Sequence, residues 1–289
     1  MKVLGAGDNV ADRYLHQAML YPGGNAVNVA VFAARVGAVA GYLGVLGDDA
    51  AGRQILRALE AEHVDTTLTR VVHGPNATAD VELRDNDRVF LRSDRTTALF
   101  ELDDADLEAM AEYDVVHSGY ASTLLPHVAR MAQRAKVSFD FGSRFDFADV
   151  QKHLPSLHLA SFSGGHLDEQ EARALAQRAV EGGAQYALVT LGSRGALLGS
   201  AAGIHFQQAD LVNAVDTLGA GDAFIAGVLV GLGTGRGIRK TLVAASAQAA
   251  QVCQVDGAFE HGIPFDAEAV RRDHQNDDDS NEDQKAVTA

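Results

Sequence analysis

The feature that most limits what this chain can fold into is a repeated exchange between short apolar runs and alanine-rich amphipathic stretches. The runs at residues 3–6, 41–45, 114–117, 137–141, 157–162 and 186–190 end in glycine or polar residues. Short runs without strict alternation suit strands covered on both faces, and the helical stretches between them supply the cover. The pattern predicts an α/β fold, with a largely parallel central sheet flanked by helices and a small β lid. A chain of 289 residues, 47% of them hydrophobic, can bury a full core, and one main domain is expected over residues 1–270.

Residues 25–36 place Ala26, Val29, Ala30, Ala33 and Val36 at helical spacing, with Asn25 as the expected N-cap and Gly37 as the stop. Between residues 69 and 100 the pattern changes to alternation around the turn-forming Asp85-Asn86-Asp87, which predicts a hairpin. Lid strands are expected within 9–22 and 70–100. Residues 271–289 are expected to form an acidic tail: between 273 and 283 it has no apolar residue and no Lys or Arg, so it is expected to remain disordered.

A formal net charge of -15 argues against a nucleic-acid backbone or an anionic membrane as partner. No stretch reaches the roughly 18 consecutive apolar residues of a membrane span, and residues 1–4 lead straight into a strand, so a cytoplasmic protein is expected. Cys253, the only cysteine, sits in an alanine-rich stretch and is expected to be buried.

Three motif-like matches carry little. Gly5-Ala6-Gly7 lacks the third glycine of a dinucleotide fingerprint, because Val10 stands there. Arg239 precedes Lys240-Thr241 where a P-loop needs glycine. Asp140-Phe141-Gly142 stands without the other signatures of a protein kinase. The informative segment is Asp216-Thr217-Leu218-Gly219-Ala220-Gly221-Asp222, which runs directly into the apolar stretch 223–232. Small residues at a helix start leave unpaired N–H groups that an anion can approach closely, and the helix dipole favours negative charge there. Gly219, Ala220 and Gly221 are therefore read as an anion hole. Asp222 would repel the bound anion if it faced it, so its expected role is to face an attacking hydroxyl and take its proton.

With Gly23-Gly24-Asn25-Ala26-Val27-Asn28 near the N-terminus and Asp216–Asp222 near the C-terminus, the sequence resembles the ribokinase-like (PfkB) carbohydrate kinases over roughly residues 2–265. Within that family it resembles the fructoselysine 6-kinases in Gly7-Asp8-Asn9, in residues 23–31, 81–90 and 113–117, and in 216–224. The resemblance implies transfer of the ATP γ-phosphate to a sugar hydroxyl, the 6-OH of fructoselysine or a related fructosamine. It implies Asp12, Asn28, Asn9, Gly24 and Asn25 on the sugar, and Thr190, Gly192, Gly195 and Gly257 on the nucleotide. Asp216 and the Leu218 carbonyl correspond to a monovalent-cation site, with K+ the expected ion, and the lid is the surface through which a homodimer is expected. In the hairpin, Asp85 or Asp87 is expected to meet the ammonium of a fructosamine and Arg88 its carboxylate.

One departure affects the metal. ATP chemistry requires Mg2+, but where the family carries N-x-x-E this chain reads Ser163-Gly164-Gly165-His166. Asp168, Glu169 and Glu171 remain as substitutes, with none singled out. The second reading is a fructokinase or ribokinase acting on a free sugar. A non-catalytic sugar or nucleotide sensor is opposed by the retention of Asp222 with Gly219–Gly221, and a dinucleotide oxidoreductase by the missing glycine near Gly5.

Overall fold

The computed structural model describes residues 1–84, 87–94, 99–272 and 274; the side chains of 83–90 are outside that description, as is nearly all of the acidic tail. The central sheet has eight strands, in the order Gly203–Gln207, Ala196–Ser200, Tyr186–Thr190, Leu159–Ser163, Lys136–Asp140, Val115–Gly119, Lys2–Ala6 and Val39–Leu43. Pairing is parallel from Val39–Leu43 through to Tyr186–Thr190, and the last two strands add an antiparallel meander at the edge. Each predicted apolar run falls on one of these parallel strands, within two residues at either end.

Helices cover both faces. One layer packs Phe32, Val228, Leu229 and Ala245 against the sheet, and the other packs Met110 and Ala176 on the face that carries Phe139 and Phe162. Each face therefore has its own apolar core, as a doubly covered parallel sheet requires.

A second sheet of five strands forms the lid, in the order Ile263–Pro264, Met19–Gly23, Val10–Tyr14, Thr78–Arg84 and Asp87–Asp94. The predicted hairpin is its free edge; its turn, with Asp85 and Asn86, and the Arg88 side chain lie outside the described residues. The lid differs from expectation in two ways. Arg70–Val72 pairs with Val45–Gly47 rather than with the lid, and Ile263–Pro264 joins it by pairing with Leu20 and Met19. Among the described residues, no helix is long and apolar enough to cross a membrane.

Candidate active site

In an open α/β sheet, groups at the C-terminal ends of the parallel strands converge on one crevice. Here Asp8 follows Lys2–Ala6, Asp140 ends Lys136–Asp140, and Ser163 and Thr190 end the next two strands. The crevice holds two cavities. One, of ≈ 500 Å³, lies under the lid and is lined by Asp12 and Ala79 from the lid, Asn25 and Asn28 from helix Asn25–Arg35, and Asp222. The other, of ≈ 440 Å³, is lined by Thr190, Gly192, Gly195, Thr217 and Ala220. Gly221 and Ser163 border both, so the two meet at the start of helix Ala220–Gly233.

That helix starts as its sequence requires. Its N-cap, Gly219, is left-handed at φ 78, where a side chain would be strained, and an added Cβ would lie 2.7 Å from Ala258 Cβ. The Ala220 N–H turns back to the Thr217 carbonyl at 3.3 Å, the next first-turn N–H groups point out of the helix end, and a Cβ at Gly221 would meet nothing within 4 Å. A phosphate group fits that open cradle.

Asp222, two residues into the helix, keeps part of its surface on the cavity. Asn28 Nδ2 donates to its Oδ2 at 2.7 Å and Asn25 Nδ2 to its Oδ1 at 2.7 Å. Burial pushes its carboxyl up to about 8; the two amides pull it down, while Asp140 and Asp8 push it further up. Asp140 is itself raised to about 6, chiefly by burial. Asp8 accepts the N–H groups of Asn25 (2.8 Å) and Ala26 (3.3 Å), and so caps the helix from outside. Asn25 is therefore not the N-cap its sequence position suggests. Gly24 holds that position at φ 109, and the Asn25 side chain turns into the cavity instead. Its Oδ1 lies 2.9 Å from His117 Nε2.

Other expected site residues take up defined places. Asn9 borders the cavity, but its amide is engaged by the scaffold: Nδ2 donates to Tyr42 Oη and the Val45 carbonyl, and Oδ1 accepts from Asn76. Asp12 and Leu218 line the first cavity; Thr190, Gly192 and Gly195 line the second. Gly257 lines neither. Its N–H donates to Asp216 Oδ2 at 2.9 Å, which ties its loop to the segment before Asp222. Asp216 also accepts from Leu218 N–H at 2.8 Å and from the Tyr14 hydroxyl. Cys253 is only partly buried: it borders the second cavity, and its carbonyl accepts from Val215 and Asp216. Apolar surface for a flat base lines that cavity at Leu211, which is 73% exposed, with Val212 and Phe224 beside it.

The carboxylates considered for magnesium are engaged at the start of helix Glu169–Glu181. Asp168 and Glu171 form a reciprocal capping box, and Glu169 pairs with Arg173. They do not fit a metal site as they stand. Asp8, His117 and Asp140 have no site role from sequence alone. For His117 and Asp140 the signal that could have found them is a polar residue in a strand otherwise built for burial on both faces; Asp8 lies just past the end of such a strand.

The family profile described as pfkB family carbohydrate kinase matches residues 4–264. The chain is 36% identical over 270 residues to the Bacillus subtilis fructosamine kinase FrlD, covering 92% of this chain and 95% of that protein. It is 35% identical over 266 residues to the Escherichia coli fructoselysine 6-kinase, covering 90% and 100%. Among solved structures, Arabidopsis thaliana ribokinase complexed with ribose and ATP superposes with a TM-score of 0.75 at 21% identity, covering 94% of this chain and 97% of that one. At that identity the likeness is one of fold.

Proposed function

Because this chain belongs to the pfkB family of carbohydrate kinases, we propose that it is an ATP-dependent sugar kinase whose acceptor is the 6-OH of fructoselysine or a related fructosamine. The observation that carries the acceptor is the ionisable lining of the cavity under the lid: Asp8, Asp12, Asp94, Asp140 and Asp222, with no Lys, Arg or His among the described residues that line it. A sugar phosphate would be repelled by that lining. A ketose with a protonated amine beyond its ring is attracted to it, because unpaired positive charge in a half-enclosed acidic cavity gains more than it does in water. The fructosamine and fructoselysine kinases that match over nearly their whole length support the same acceptor.

In the reaction the acceptor hydroxyl faces Asp222 and the nucleotide occupies the neighbouring cavity, with its γ-phosphate over Gly219, Ala220 and Gly221. Asp222 takes the hydroxyl proton, the oxygen bonds to the γ-phosphorus, and the bond to the β-phosphate oxygen breaks to release ADP. First-turn N–H groups meet the charge that develops on the phosphoryl oxygens. A divalent ion entering with the nucleotide would supply the remaining offset of phosphate charge. Asp12 accepts sugar hydroxyl hydrogens, Arg88 pairs with the carboxylate of the amino-acid part, and the lid excludes water.

The test is kcat/KM on fructoselysine, fructose, ribose and fructose 6-phosphate. Fructoselysine is expected to lead, and Asp94→Asn to lower its kcat/KM by about tenfold, as loss of one charge-assisted contact would, while fructose changes little. A free sugar that is turned over better than fructoselysine overturns the acceptor and leaves the kinase.

The same geometry bears on potassium. The Asp216 carboxylate accepts the Tyr14 hydroxyl and the N–H groups of Leu218 and Gly257, and its oxygens and the Leu218 carbonyl are those proposed for a monovalent ion. Turnover in buffer free of sodium and potassium is expected to rise on adding potassium at constant magnesium; equal rates would remove the ion.

A further inference from the structure

We infer that His117 is a positioning residue for the base: acting through Asn25, it fixes which end of that amide faces Asp222. The inference rests on reading Asp222 as the base.

His117 lies in the central strand Val115–Gly119 with no exposed surface, in a position where a strand covered on both faces ordinarily carries an aliphatic residue. Its Nδ1 is 2.9 Å from Ser138 Oγ, and its Nε2 is 2.9 Å from Asn25 Oδ1. At its other end the Asn25 amide lies 2.7 Å from Asp222 Oδ1 and 3.2 Å from Asp140 Oδ2. Asp140, raised only to about 6, is ionised at neutral pH and can only accept, so the end between the two carboxyl groups is the NH2 and the end toward His117 is the oxygen. An amide oxygen needs a donor, which puts the ring hydrogen on Nε2. Nδ1 then carries the lone pair, and the Ser138 hydroxyl donates to it. Burial pushes the His117 imidazole down to about 3, so the ring is neutral and has one hydrogen to place. The hydrogen bonds from Ser138 through His117 and Asn25 to Asp222 thus share one consistent direction. Turning the Asn25 amide over would set its carbonyl oxygen against two carboxylates.

Asn28 offers a contrast within the same helix. Its Nδ2 also donates to Asp222, at 2.7 Å, but its Oδ1 is buried without a partner among the described residues. Nothing holds that amide from behind.

The groups that bear on Asp222 are Asn25 and Asn28 from helix Asn25–Arg35, Asp140 from strand Lys136–Asp140, and Asp8 from the loop after Lys2–Ala6. The two carboxylates favour its protonated form, and the two amides favour the ionised form that can take a proton. His117 therefore bears on the charge of a base it does not touch.

The test compares the pH dependence of kcat in wild type, His117→Leu (similar volume, no donor) and His117→Gln (an NH2 in place of Nε2–H), with a 13C titration of the Asp222 carboxyl in each protein. A base must be ionised to act, so kcat rises with pH through its titration. With the amide released, the Asp222 carboxylate loses a donor. Its titration and the acid limb are then expected to move up by about one pH unit, with about a tenfold loss at the foot of the limb and convergence with wild type at high pH. His117→Gln is expected to restore the limb. Ser138→Ala keeps the ring and lets it take the other tautomer, so a smaller shift in the same direction is expected, and this variant stands in if His117→Leu does not fold. An unmoved limb together with an unmoved Asp222 titration, in whichever variant folds, overturns the inference. Asp222→Asn separates the two readings: if that variant keeps normal turnover, the base reading itself has failed.

Discussion

Asp222→Asn is expected to lower kcat by about 10²–10⁴-fold and, at pH 8, to raise the melting temperature. Loss of rate follows from chemistry, since an amide of the same size cannot take the hydroxyl proton. The gain in stability follows from the same burial that raises the Asp222 carboxyl to about 8 from an ordinary 3.8. Between those values the folded protein holds a proton that the unfolded chain does not, so stability falls as pH rises through that window. Asparagine has no charge to bury, and removing this liability stabilises the fold most where Asp222 would be ionised. The new amide can also be accommodated, because Asn28 can turn its partnerless Oδ1 toward it. ATP affinity, measured by calorimetry, should change little, since the cradle at Gly219–Gly221 is untouched. A variant with near-normal turnover at saturating substrate would rule out Asp222 as the base. A variant that loses both rate and melting temperature would indicate a structural residue instead.

How much of this was legible beforehand depended on distance along the chain. The strands could be read because a parallel strand buried on both faces must be apolar over its whole length, and that is a local property. The start of helix Ala220–Gly233 could be read for the same reason: Gly219, Ala220, Gly221 and Asp222 are adjacent in sequence, and their chemistry is that of one helix end. Asn25 was half legible. Its type and position before an apolar helix suited a cap, and only the fold shows that Asp8, 17 residues earlier, takes that role and sends the Asn25 side chain to partners 92, 115 and 197 residues away. Ile263–Pro264 is a strand only because its pairing partner is the lid, more than 240 residues earlier. Asp140 falls in a motif-like match that carries little, although a lone carboxylate ending a buried strand is itself a signal, since burying it requires partners. The acidic character of the cavity is legible in sequence only at Asp12 and Asp222, because Asp8, Asp94 and Asp140 join them only when the sheet and the lid close around them.

Asp216→Ala is expected to destabilise the protein by about 3 kcal/mol or more, because it removes a buried charged acceptor shared by three donors. Those donors come from three parts of the fold: the Tyr14 hydroxyl from the lid, Leu218 N–H from the loop that carries the anion hole, and Gly257 N–H from the loop after helix Ile238–Val252. One carboxylate with 4% of its surface exposed thus ties the lid to the loop that positions Gly219. In a chain of this size the expected fall in melting temperature is about 6–12 °C. Turnover should fall as well, since a loosened Leu218–Gly219 segment no longer holds the first-turn N–H groups where the phosphoryl charge develops. Asp216→Asn keeps the volume and one acceptor oxygen but turns an NH2 toward at least one donor, so its loss should be intermediate. The alternative is that Asp216 acts mainly by holding a monovalent cation. In that case Asp216→Ala would abolish activation by potassium while leaving the melting temperature in potassium-free buffer unchanged. If the carboxylate acts as a structural tie, the melting temperature drops equally with and without potassium, and that comparison decides between the two roles.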